Sequence, residues 1–356
     1  MRIALVSTPF VAVPPRAYGG TELVVDALAH GLQRAGQDVT VFATGDSRAP
    51  GLRALFDEAI WPPHAHIELL HCRFAAREIA RGDFDVAHAH APGLLAFAED
   101  LPIPMVYTVH HAADLAMARF YAAAPPVPQI AISARQAALL SPAPGHVVHH
   151  GLEPAMYPSC GDGGESALFL GRLSWVKAPD LAVEAARRAG VPIVVAGRQH
   201  ASDPAPDGWR ERVLEPALRQ PWVHWAGGAD LAAKRQLFAS SRALLVPLRW
   251  EEPFGLVMIE ALLAGCPVIA FRLGAAPEII EEGVTGHLVD DVDAMAGALA
   301  RAGAFDRAAL QARARVRFSS DRMAADYLAL YRAAAAAHAA GPHAGLEGRG
   351  WTTAAH

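Results

Sequence analysis

Two carboxylates stand close together in an otherwise apolar stretch of the chain, WEEPFGLVMIEALLAG. They are Glu252 and Glu260, with seven residues between them. Pro near the first position and Gly just past the end are signals that start and stop a helix, so this spacing predicts one short apolar helix over residues 253–264. Glu252 then lies in the loop before the helix, and Glu260 lies roughly 9 Å further along it.

A buried carboxylate on an apolar helix costs free energy unless a partner pairs with it. We therefore interpret Glu252 and Glu260 as ligand-binding groups. The alternative is an ordinary core helix in which Glu260 has a partner from within the protein, and we favour the ligand. The free backbone N–H groups of Phe254, Gly255 and Leu256 would form an anion site at the predicted helix start.

Two cations stand five positions apart in a second motif, GRLSWVKAPD, which begins at Gly171. Arg172 and Lys177 lie between a predicted strand at 167–170 and a predicted helix at 180–189. Ligands of open α/β sheets bind at the carboxyl ends of strands, and a planar guanidinium with a mobile ammonium suits a doubly charged diphosphate. The alternative is a solvated loop with two surface cations. The carboxylate motif in the same half of the chain favours a binding loop.

Paired glycines precede a predicted helix near the start of the chain, in VPPRAYGGTE. Gly19 and Gly20 would let the backbone approach a ligand closely and would expose the first N–H groups of the helix. A simple turn uses the same residues. The sequence contains neither G-x-G-x-x-G nor G-x-x-x-x-G-K-[ST], so it carries no dinucleotide fingerprint and no P-loop.

The chain has 17 histidines, and one of them directly follows a predicted strand. This residue, His110, stands where a ligand would bind, and we predict a functional role for it. The HAH and HH pairs suggest zinc as an alternative, but no HExxH or Cys/His cluster with ligand spacing occurs. We predict strand-end packing or polar contacts for the other histidines of these pairs, which are His88, His90, His111, His149 and His150.

Short apolar runs alternate with helical patterns along most of the chain, as expected for parallel strands that are buried on both faces. The predicted strands form two series: 3–7, 39–43, 86–88, 105–109, 129–132 and 146–149, then 167–170, 193–196, 223–225, 243–247 and 267–271. The predicted helices between them include 22–35, 180–189, 229–240 and 252–264. Two successive series of this kind predict an α/β protein with two doubly wound Rossmann-like domains that face each other across a cleft.

The predicted boundary between the domains falls in residues 151–165, which are rich in Gly, Pro and Asp. We assign residues 1–157 to an N-terminal domain and residues 158–318 to a C-terminal domain. Residues 319–336 are predicted as a helix. The Ala/Gly/His-rich tail at 337–356 is predicted to be disordered.

Composition narrows the class of protein. A length of 356 residues favours two domains. A net charge of −5 and a pI near 6.4 argue against nucleic-acid binding, and no apolar run reaches transmembrane length. The apolar stretch at the start of the chain is too short for a signal peptide, and Pro interrupts it too soon. Cys72, Cys160 and Cys266 are scattered, which favours reduced thiols and a cytoplasmic location.

At this point the motifs resemble a known family. GRLSWVKAPD, EEPFGLVMIEALLAGCPVIA and PEIIEEGVTGHLV are similar to the GT4-type (group 1) retaining glycosyltransferases with a GT-B fold. The resemblance covers nearly the whole chain, because PPRAYGGTELVVDALAHGLQRAGQDVTVFATGDS, TVHH and AISARQ also resemble the N-terminal domain of that family. Two departures are Ala275-Ala276 before Pro-Glu and His150-Gly151 in place of the frequent Asn-Gly.

The resemblance implies that residues 1–157 form the acceptor-side domain, that residues 158–318 form the nucleotide-sugar-binding domain, and that the helix at 319–336 returns to the first domain. It also implies roles for the residues singled out above. Glu260 would bind the ribose of a sugar nucleotide, Arg172 and Lys177 would hold its diphosphate, and Glu252 would bind the transferred sugar. His110 would lie beside the donor sugar. The implied catalytic residues are therefore His110, Glu252, Arg172 and Lys177. The implied donor-binding residues are Gly19, Gly20, Gly171, Gly197, Arg198, Phe254, Gly255, Leu256, Val257 and Glu260.

The family also implies the reaction. A sugar would move from a nucleoside-diphosphate sugar, with a UDP-sugar favoured over a GDP- or ADP-sugar, to a small-molecule or glycan acceptor with retention of configuration. No cofactor or metal is expected, and Asp290-Asp291-Val292-Asp293 is interpreted as a turn. No transmembrane segment is expected, while peripheral contact with a membrane stays open. The alternatives are a sugar-nucleotide epimerase, a phosphorylase of the same fold, and a non-catalytic sugar-nucleotide-binding protein.

Overall fold

The computed structural model describes residues 1–16, 19–157, 163–199 and 204–340. The strands of the first sheet are Arg2–Val6 (β1), Asp38–Ala43 (β2), Arg53–Ala54 (β3), Val86–Ala89 (β4), Met105–Thr108 (β5), Gln129–Ala131 (β6) and His146–Val147 (β7). All pairs between them are parallel, in the order β3-β2-β1-β4-β5-β6-β7. The helices of this half are Gly20–Arg34 (α1), Ala65–Arg81 (α2), Leu115–Ala123 (α3) and Ala134–Leu139 (α4).

The second sheet repeats this arrangement. Its strands are Ala167–Leu170 (β8), Ile193–Ala196 (β9), Val223–Gly227 (β10), Leu244–Val246 (β11), Val268–Phe271 (β12) and Gly286–Val289 (β13). They pair in parallel in the order β10-β9-β8-β11-β12-β13. The accompanying helices are Pro179–Ala189 (α5), Glu215–Leu218 (α6), Leu231–Ala239 (α7), Leu256–Leu263 (α8), Ala276–Ile279 (α9), Val292–Arg301 (α10) and Arg307–Phe318 (α11).

The strand orders confirm the predicted pair of doubly wound, Rossmann-like α/β domains. In each sheet the strand order reverses between the first and fourth strands of the series, at β1/β4 and at β8/β11. Ligands of such sheets bind outside the carboxyl ends of the strands at this switch point. The inner strands β1 and β4 are buried on both faces, whereas the edge strands β3 and β10 are largely exposed. Around the inner strands, side chains therefore reach solvent mainly from the loops at the strand ends.

The last described helix, Ser320–Ala339 (α12), returns to the first sheet and packs along α1. A Cβ on Gly31 would lie 2.7 Å from the carbonyl oxygen of Ser320, so the absence of a side chain there allows the two helices to approach. Within the described residues, the chain leaves the first half after Leu152 and returns to it at Ser319, and these two residues form a parallel bridge. The domain boundaries predicted from composition stay a prediction, since residues 158–162 lie outside the described ranges.

Several predicted segments differ from the structure. The helix expected at 253–264 begins only at Leu256, because Gly255 adopts the left-handed conformation with φ 89° and caps it. The turn expected at 290–293 instead caps and begins α10 through Asp291.

Three further expectations concern the end of the chain and the cysteines. Residues 337–339, predicted as part of the tail, belong to α12, while residues 341–356 lie outside the described ranges. Cys72 and Cys266 are free and buried, and Cys160 is outside the described ranges. Within those ranges, no helix combines the length and the apolarity needed to cross a membrane.

Candidate active site

Two of the predicted catalytic residues, Lys177 and Glu252, meet in the structure. Lys177 Nζ forms an ion pair with Glu252 Oε2, and the two side chains retain 19% and 12% of their exposure. Trp250 Nε1 donates a hydrogen bond of 2.8 Å to the same carboxylate oxygen, and the Lys177 ammonium lies 5.2 Å from the centre of the Trp250 ring. The binding loop after β8 and the carboxylate before α8 are therefore parts of one site.

A salt bridge holds the loop that carries the two cations. Arg249 donates to both carboxylate oxygens of Asp180, at 2.9 and 2.5 Å, and its guanidinium lies 3.8 Å from the centre of the Trp175 ring. It also donates to the Trp175 carbonyl at 3.1 Å. The half-buried Arg172 begins the same loop. Arg249 was not predicted, because it lies outside the motifs and its partner Asp180, the last residue of GRLSWVKAPD, is 69 residues away along the chain.

Glu252 is positioned by the loop that follows β12. Its carbonyl accepts the N–H of Ala275 at 3.0 Å. A Cβ on Gly274 would lie 2.5 Å from Glu252 N, and Gly274 has φ 59°, so this position requires glycine. Ala275, one of the two departures from the family pattern, is fully buried and serves this backbone contact.

Glu260 is 4% exposed and has partners from within the protein. Tyr157 donates its hydroxyl to Glu260 Oε1 at 3.0 Å, and Lys234 Nζ on α7 forms an ion pair with the same oxygen. Burial and then the adjacent carboxylate raise the pKa of Tyr157. Glu260 thus has the internal partners of the less favoured alternative, and its role as a ligand-binding group stays a prediction. Lys234 was not predicted as a partner of Glu260, although the burial of a carboxylate is costly without a cation nearby.

The start of α8 faces the start of α1. The first hydrogen bond inside α8 joins the N–H of Met258 to the carbonyl of Gly255 at 2.9 Å, so the N–H groups of Leu256 and Val257 stand at the helix start. A Cβ on Gly20 would lie 3.3 Å from Leu256 Cδ1. The structure thus brings the predicted glycine loop of the first half beside the anion site of the second half.

Two residues of this region lie differently from the expectation. Phe254 precedes the helix and is 2% exposed, with its ring 5.0 Å from that of His150, so it belongs to the core rather than to the helix start. Gly19 caps α1, and a Cβ there would lie 2.8 Å from Pro15 Cβ and 3.0 Å from Glu22 Oε2. Glu22 is a buried carboxylate that sequence analysis missed, and burial raises its pKa.

Three of the implied donor-binding residues, Gly171, Gly197 and Arg198, lie at the carboxyl ends of β8 and β9. Gly197 has φ 155°, and a Cβ there would lie 1.8 Å from the carbonyl oxygen of Gly171, so these two loops touch only because Gly197 has no side chain. Arg198 is exposed. Trp225, half-exposed in the middle of β10, donates its indole N–H to the Gly197 carbonyl at 3.3 Å.

His110 lies at the end of β5 and contacts other histidines. Its Nε2 is 2.8 Å from Nδ1 of His90, and its ring stacks on His150 at 5.3 Å between centres. Because the His150 ring in turn packs on Phe254, His110 is linked to the loop before α8. Burial and then the neighbouring His111 lower the pKa of His110 to about 3.

The other paired histidines make packing or polar contacts, as predicted. His88 contacts the hydroxyls of Tyr331 at 2.7 Å and Thr108 at 2.8 Å. His111 contacts the hydroxyl of Tyr121 at 2.6 Å. His149 contacts a carboxylate of the other half, which is described next.

The start of α4 in the first half docks on the second half beside the site. Glu278 accepts the backbone N–H groups of Ala134 and Arg135, each at 2.7 Å, and contacts His149 Nε2 at 2.9 Å. The Arg135 guanidinium donates to both oxygens of Glu251, at 2.9 and 2.6 Å. Ser133 donates its hydroxyl to the Pro253 carbonyl at 2.7 Å. These contacts join the two halves around the loop that carries Glu252.

Comparison with known proteins agrees with this geometry. A family model described as Glycosyl transferases group 1 matches residues 164–304, and one described as Glycosyltransferase Family 4 matches residues 18–152. The chain belongs to this glycosyltransferase family. The two matches cover both halves and include the cation loop, the two carboxylates and the glycines before α1.

The curated relatives of this family member include two D-inositol 3-phosphate glycosyltransferases. The protein of Mycobacterium marinum is 35% identical over 204 residues, which are 52% of this chain and 43% of that protein. The protein of Mycolicibacterium paratuberculosis is 39% identical over 138 residues, which are 37% of this chain and 30% of that protein. The matched part therefore spans less than half the length of these relatives.

Solved structures show the GT-B fold of the family. The glycosyltransferase AviGT4, involved in avilamycin A biosynthesis, has a TM-score of 0.73 and 25% identity, with 94% of this chain and 98% of that chain covered. HepE of Anabaena, in complex with UDP and glucose, has a TM-score of 0.69 and 19% identity, with 94% and 100% covered.

Proposed function

We propose that this protein is a retaining glycosyltransferase that moves a sugar from a nucleoside-diphosphate sugar, preferably a UDP-sugar, to an acceptor hydroxyl. The observation that carries the proposal is the convergence of Lys177, Glu252 and the start of α8, with Gly20 of the first half beside Leu256. A cation, a carboxylate and a helix N-terminus at the switch points of two Rossmann-like sheets suit a ligand with both phosphates and hydroxyls.

The diphosphate is assigned to Arg172, Lys177 and the first N–H groups of α8. Departure of a nucleoside diphosphate develops negative charge, and preorganised cations and helix N–H groups stabilise such charge without reorganisation. Lys177 and Glu252 neutralise each other in the structure. A diphosphate that pairs with Lys177 would leave the Glu252 carboxylate to accept hydrogen bonds from hydroxyls of the transferred sugar.

The nucleoside is assigned to the region of Glu260, Gly197 and Arg198. Tyr157 and Lys234 hold the Glu260 carboxylate in one orientation, which suits it to accept hydrogen bonds from the two ribose hydroxyls. The backbone at Gly197 lies at the end of β9, within reach of a base that extends from that ribose. The UDP complex of HepE, which shares the fold, supports UDP as the first donor to test.

The acceptor and the stereochemistry follow from the family rather than from contacts of this chain. The curated relatives suggest a phosphorylated polyol as one acceptor class, beside glycans. We infer attack and departure on the same face of the sugar, with the leaving phosphate as the base, because no carboxylate is clearly placed as a nucleophile. No metal is assigned to the reaction, and a cytoplasmic location remains a prediction.

The test is a matrix of UDP-, GDP- and ADP-sugars against an acceptor panel that includes inositol 3-phosphate, with and without excess EDTA. We expect release of the nucleoside diphosphate from a UDP-sugar, dependent on an acceptor and insensitive to EDTA, with retention in the product. Donor binding without release would instead indicate a non-catalytic binding protein. An isomerised donor would indicate an epimerase, and a requirement for inorganic phosphate would indicate a phosphorylase. Activity that is lost in EDTA and restored by Mg²⁺ would contradict the metal-free assignment.

A further inference from the structure

Two histidines share one hydrogen bond at the edge of the first sheet that faces the site. His90 follows β4 and is 2% exposed, and its Nδ1 lies 2.8 Å from Nε2 of His110. Burial lowers the pKa of both imidazoles, that of His110 to about 3. Both rings are therefore neutral at pH 7, and each carries a single ring proton. One ring must donate in this hydrogen bond and the other must accept.

The second nitrogen of His90 decides the direction. Among the described residues, His90 Nε2 is buried without a hydrogen-bond partner. If His110 donated, the His90 proton would have to be on Nε2, as a buried N–H without an acceptor. If His90 donates, Nε2 carries only a lone pair. A buried donor without an acceptor is the rarer and costlier arrangement, so donation from His90 is favoured.

We propose that His90 is a positioning residue that donates from Nδ1 to Nε2 of His110 and thereby places the proton of His110 on Nδ1. His110 then offers an N–H group, rather than a lone pair, to an oxygen of the substrate. The inference rests on the proposed function, in which His110 lies beside the donor sugar. It assigns His110 as a neutral hydrogen-bond donor to a sugar or phosphate oxygen and removes it as a general base.

The surroundings of His90 keep its ring fixed. The His88 ring lies 4.0 Å from it between centres, and His88 is held on both nitrogens, by the hydroxyls of Tyr331 and Thr108. The Thr108 hydroxyl also contacts that of Tyr327 at 2.8 Å. Tyr327 and Tyr331 both belong to α12. This helix therefore supports the pair of His90 and His110 through its contacts with His88 and Thr108.

The tautomer can be measured without any substrate. Long-range ¹H–¹⁵N correlation spectra distinguish a protonated Nδ1 from a protonated Nε2, and the His110 signals are identified by their loss in His110→Gln. We expect wild-type His110 to show a protonated Nδ1 and a bare Nε2. A protonated Nε2 on His110 would overturn the proposal, whatever the activity of the protein.

Two isosteric variants test the consequence for turnover. In His90→Asn the amide can still donate to His110, whereas in His90→Asp an ionised carboxylate only accepts and draws the His110 proton to Nε2. With the donor identified by the matrix above, we expect kcat of the Asn variant within a few-fold of wild type. We expect kcat of the Asp variant to be lower by roughly tenfold or more, the scale of one hydrogen bond, with a smaller change in KM.

Each outcome is decisive for one of the two proposals. Equal kcat in the folded Asn and Asp variants would overturn the positioning role. If His90→Asp does not fold, the wild-type spectrum and the spectrum of His90→Asn still decide the tautomer. If no donor is turned over by wild type, the proposed function fails, while the tautomer measurement stands by itself.

Discussion

Glu252 and Glu260 have the same functional group, but their side chains differ in exposure and in hydrogen-bond partners. Glu252 keeps 12% of its side-chain exposure beside Lys177, and Glu260 keeps 5% between Tyr157 and Lys234. If Glu260 binds ribose and Glu252 binds the transferred sugar, only Glu260 contacts the nucleoside diphosphate product. The two residues should therefore respond differently to a ligand that lacks the sugar.

The prediction compares Glu260→Gln with Glu252→Gln, changes that keep the shape of each side chain. We expect Glu260→Gln to weaken binding of UDP by about 1.5–3 kcal/mol, the scale of hydrogen bonds to a charged group. Glu252→Gln should leave UDP affinity nearly unchanged and lower turnover of the full donor. Calorimetric titration of UDP into both folded variants gives the two affinities. Equal losses of UDP affinity would contradict the assignment of Glu260 to ribose and of Glu252 to the transferred sugar.

The two cations of the loop after β8 should act mainly on the reaction rate. We expect Arg172→Ala and Lys177→Ala each to raise the activation free energy by about 2.7–4 kcal/mol, as the loss of a charge-stabilising donor does. Arg219→Ala is the control, because this arginine keeps 74% exposure and pairs with Glu215 within one helix. Steady-state kinetics are measured for all three variants. Normal kcat in both loop variants would exclude the diphosphate assignment.

The parts of the site that sequence predicted are those whose chemistry is concentrated in a motif. Lys177, Glu252, Leu256 and Gly20 come together as expected, because each follows a strand or begins a helix at a switch point. Arg249, Lys234 and Glu22 could not be predicted. Their partners are distant along the chain, and an isolated cation or carboxylate has no periodicity that reveals burial.

At the scale of elements, strands were easier to predict than helices. The two series of apolar runs between Gly and Pro locate most strands to within one or two residues, because burial on both faces leaves a continuous apolar signal. Helix α2 was missed although its buried residues Cys72, Ala75, Ala76 and Ile79 recur at helical spacing, because small side chains in this stripe give only a weak hydrophobic signal. The late start of α8 depends on the left-handed Gly255, which the sequence does not distinguish from any other glycine.

The contact between α4 and Glu278 should hold the two halves together. Burial raises the pKa of Glu278, but the hydrogen bonds from His149 and from two backbone N–H groups lower it overall. This contribution to stability is therefore present above the ordinary pKa of 4.5 and is lost as the pH falls below it. We expect Glu278→Ala to lower the free energy of unfolding by about 1–2 kcal/mol, as the loss of a helix cap does.

The same variant should also loosen the arrangement of the two halves. We expect a larger radius of gyration in small-angle scattering for Glu278→Ala than for wild type. Glu282→Ala is the matched control, because Glu282 contacts His287 and Leu288 within the second half and its carboxylate is 56% exposed. An equal change in both variants would show that the effect is not specific to the contact with α4.

At the scale of the whole molecule, buried histidines make stability depend on pH. Burial lowers the pKa of five imidazoles from the ordinary 6.5, among them that of His71 to about 4 and that of His110 to about 3. They are His71, His88, His90, His110 and His150. The unfolded chain therefore binds more protons than the folded chain once the pH falls below about 6.5. Stability is retained above this pH and lost below it.

We expect the free energy of unfolding to fall between pH 7.5 and pH 5.5 by about 1 kcal/mol for each of these histidines. Burial raises the pKa of Glu22 and Glu68, which acts in the opposite direction, but these carboxylates are fewer. Urea unfolding at pH 7.5 and at pH 5.5 gives the difference in the free energy of unfolding. His71→Gln should reduce this difference by about 1 kcal/mol, the contribution of one histidine. A difference that His71→Gln leaves unchanged would contradict the assignment.

The bridge between Leu152 and Ser319 gives the chain an unusual layout. The Leu152 N–H donates to the Phe318 carbonyl at 2.9 Å, and the Ser320 N–H donates to the Leu152 carbonyl at 2.8 Å. Since α12 rejoins the first sheet, the second sheet is in effect an insertion whose entry and exit run side by side. A rotation of the inserted part about this bridge would separate α4 from Glu278. Replacing the residues between Leu152 and Ser319 with a short linker would remove the second half. The first sheet and α12 would then remain together in one chain.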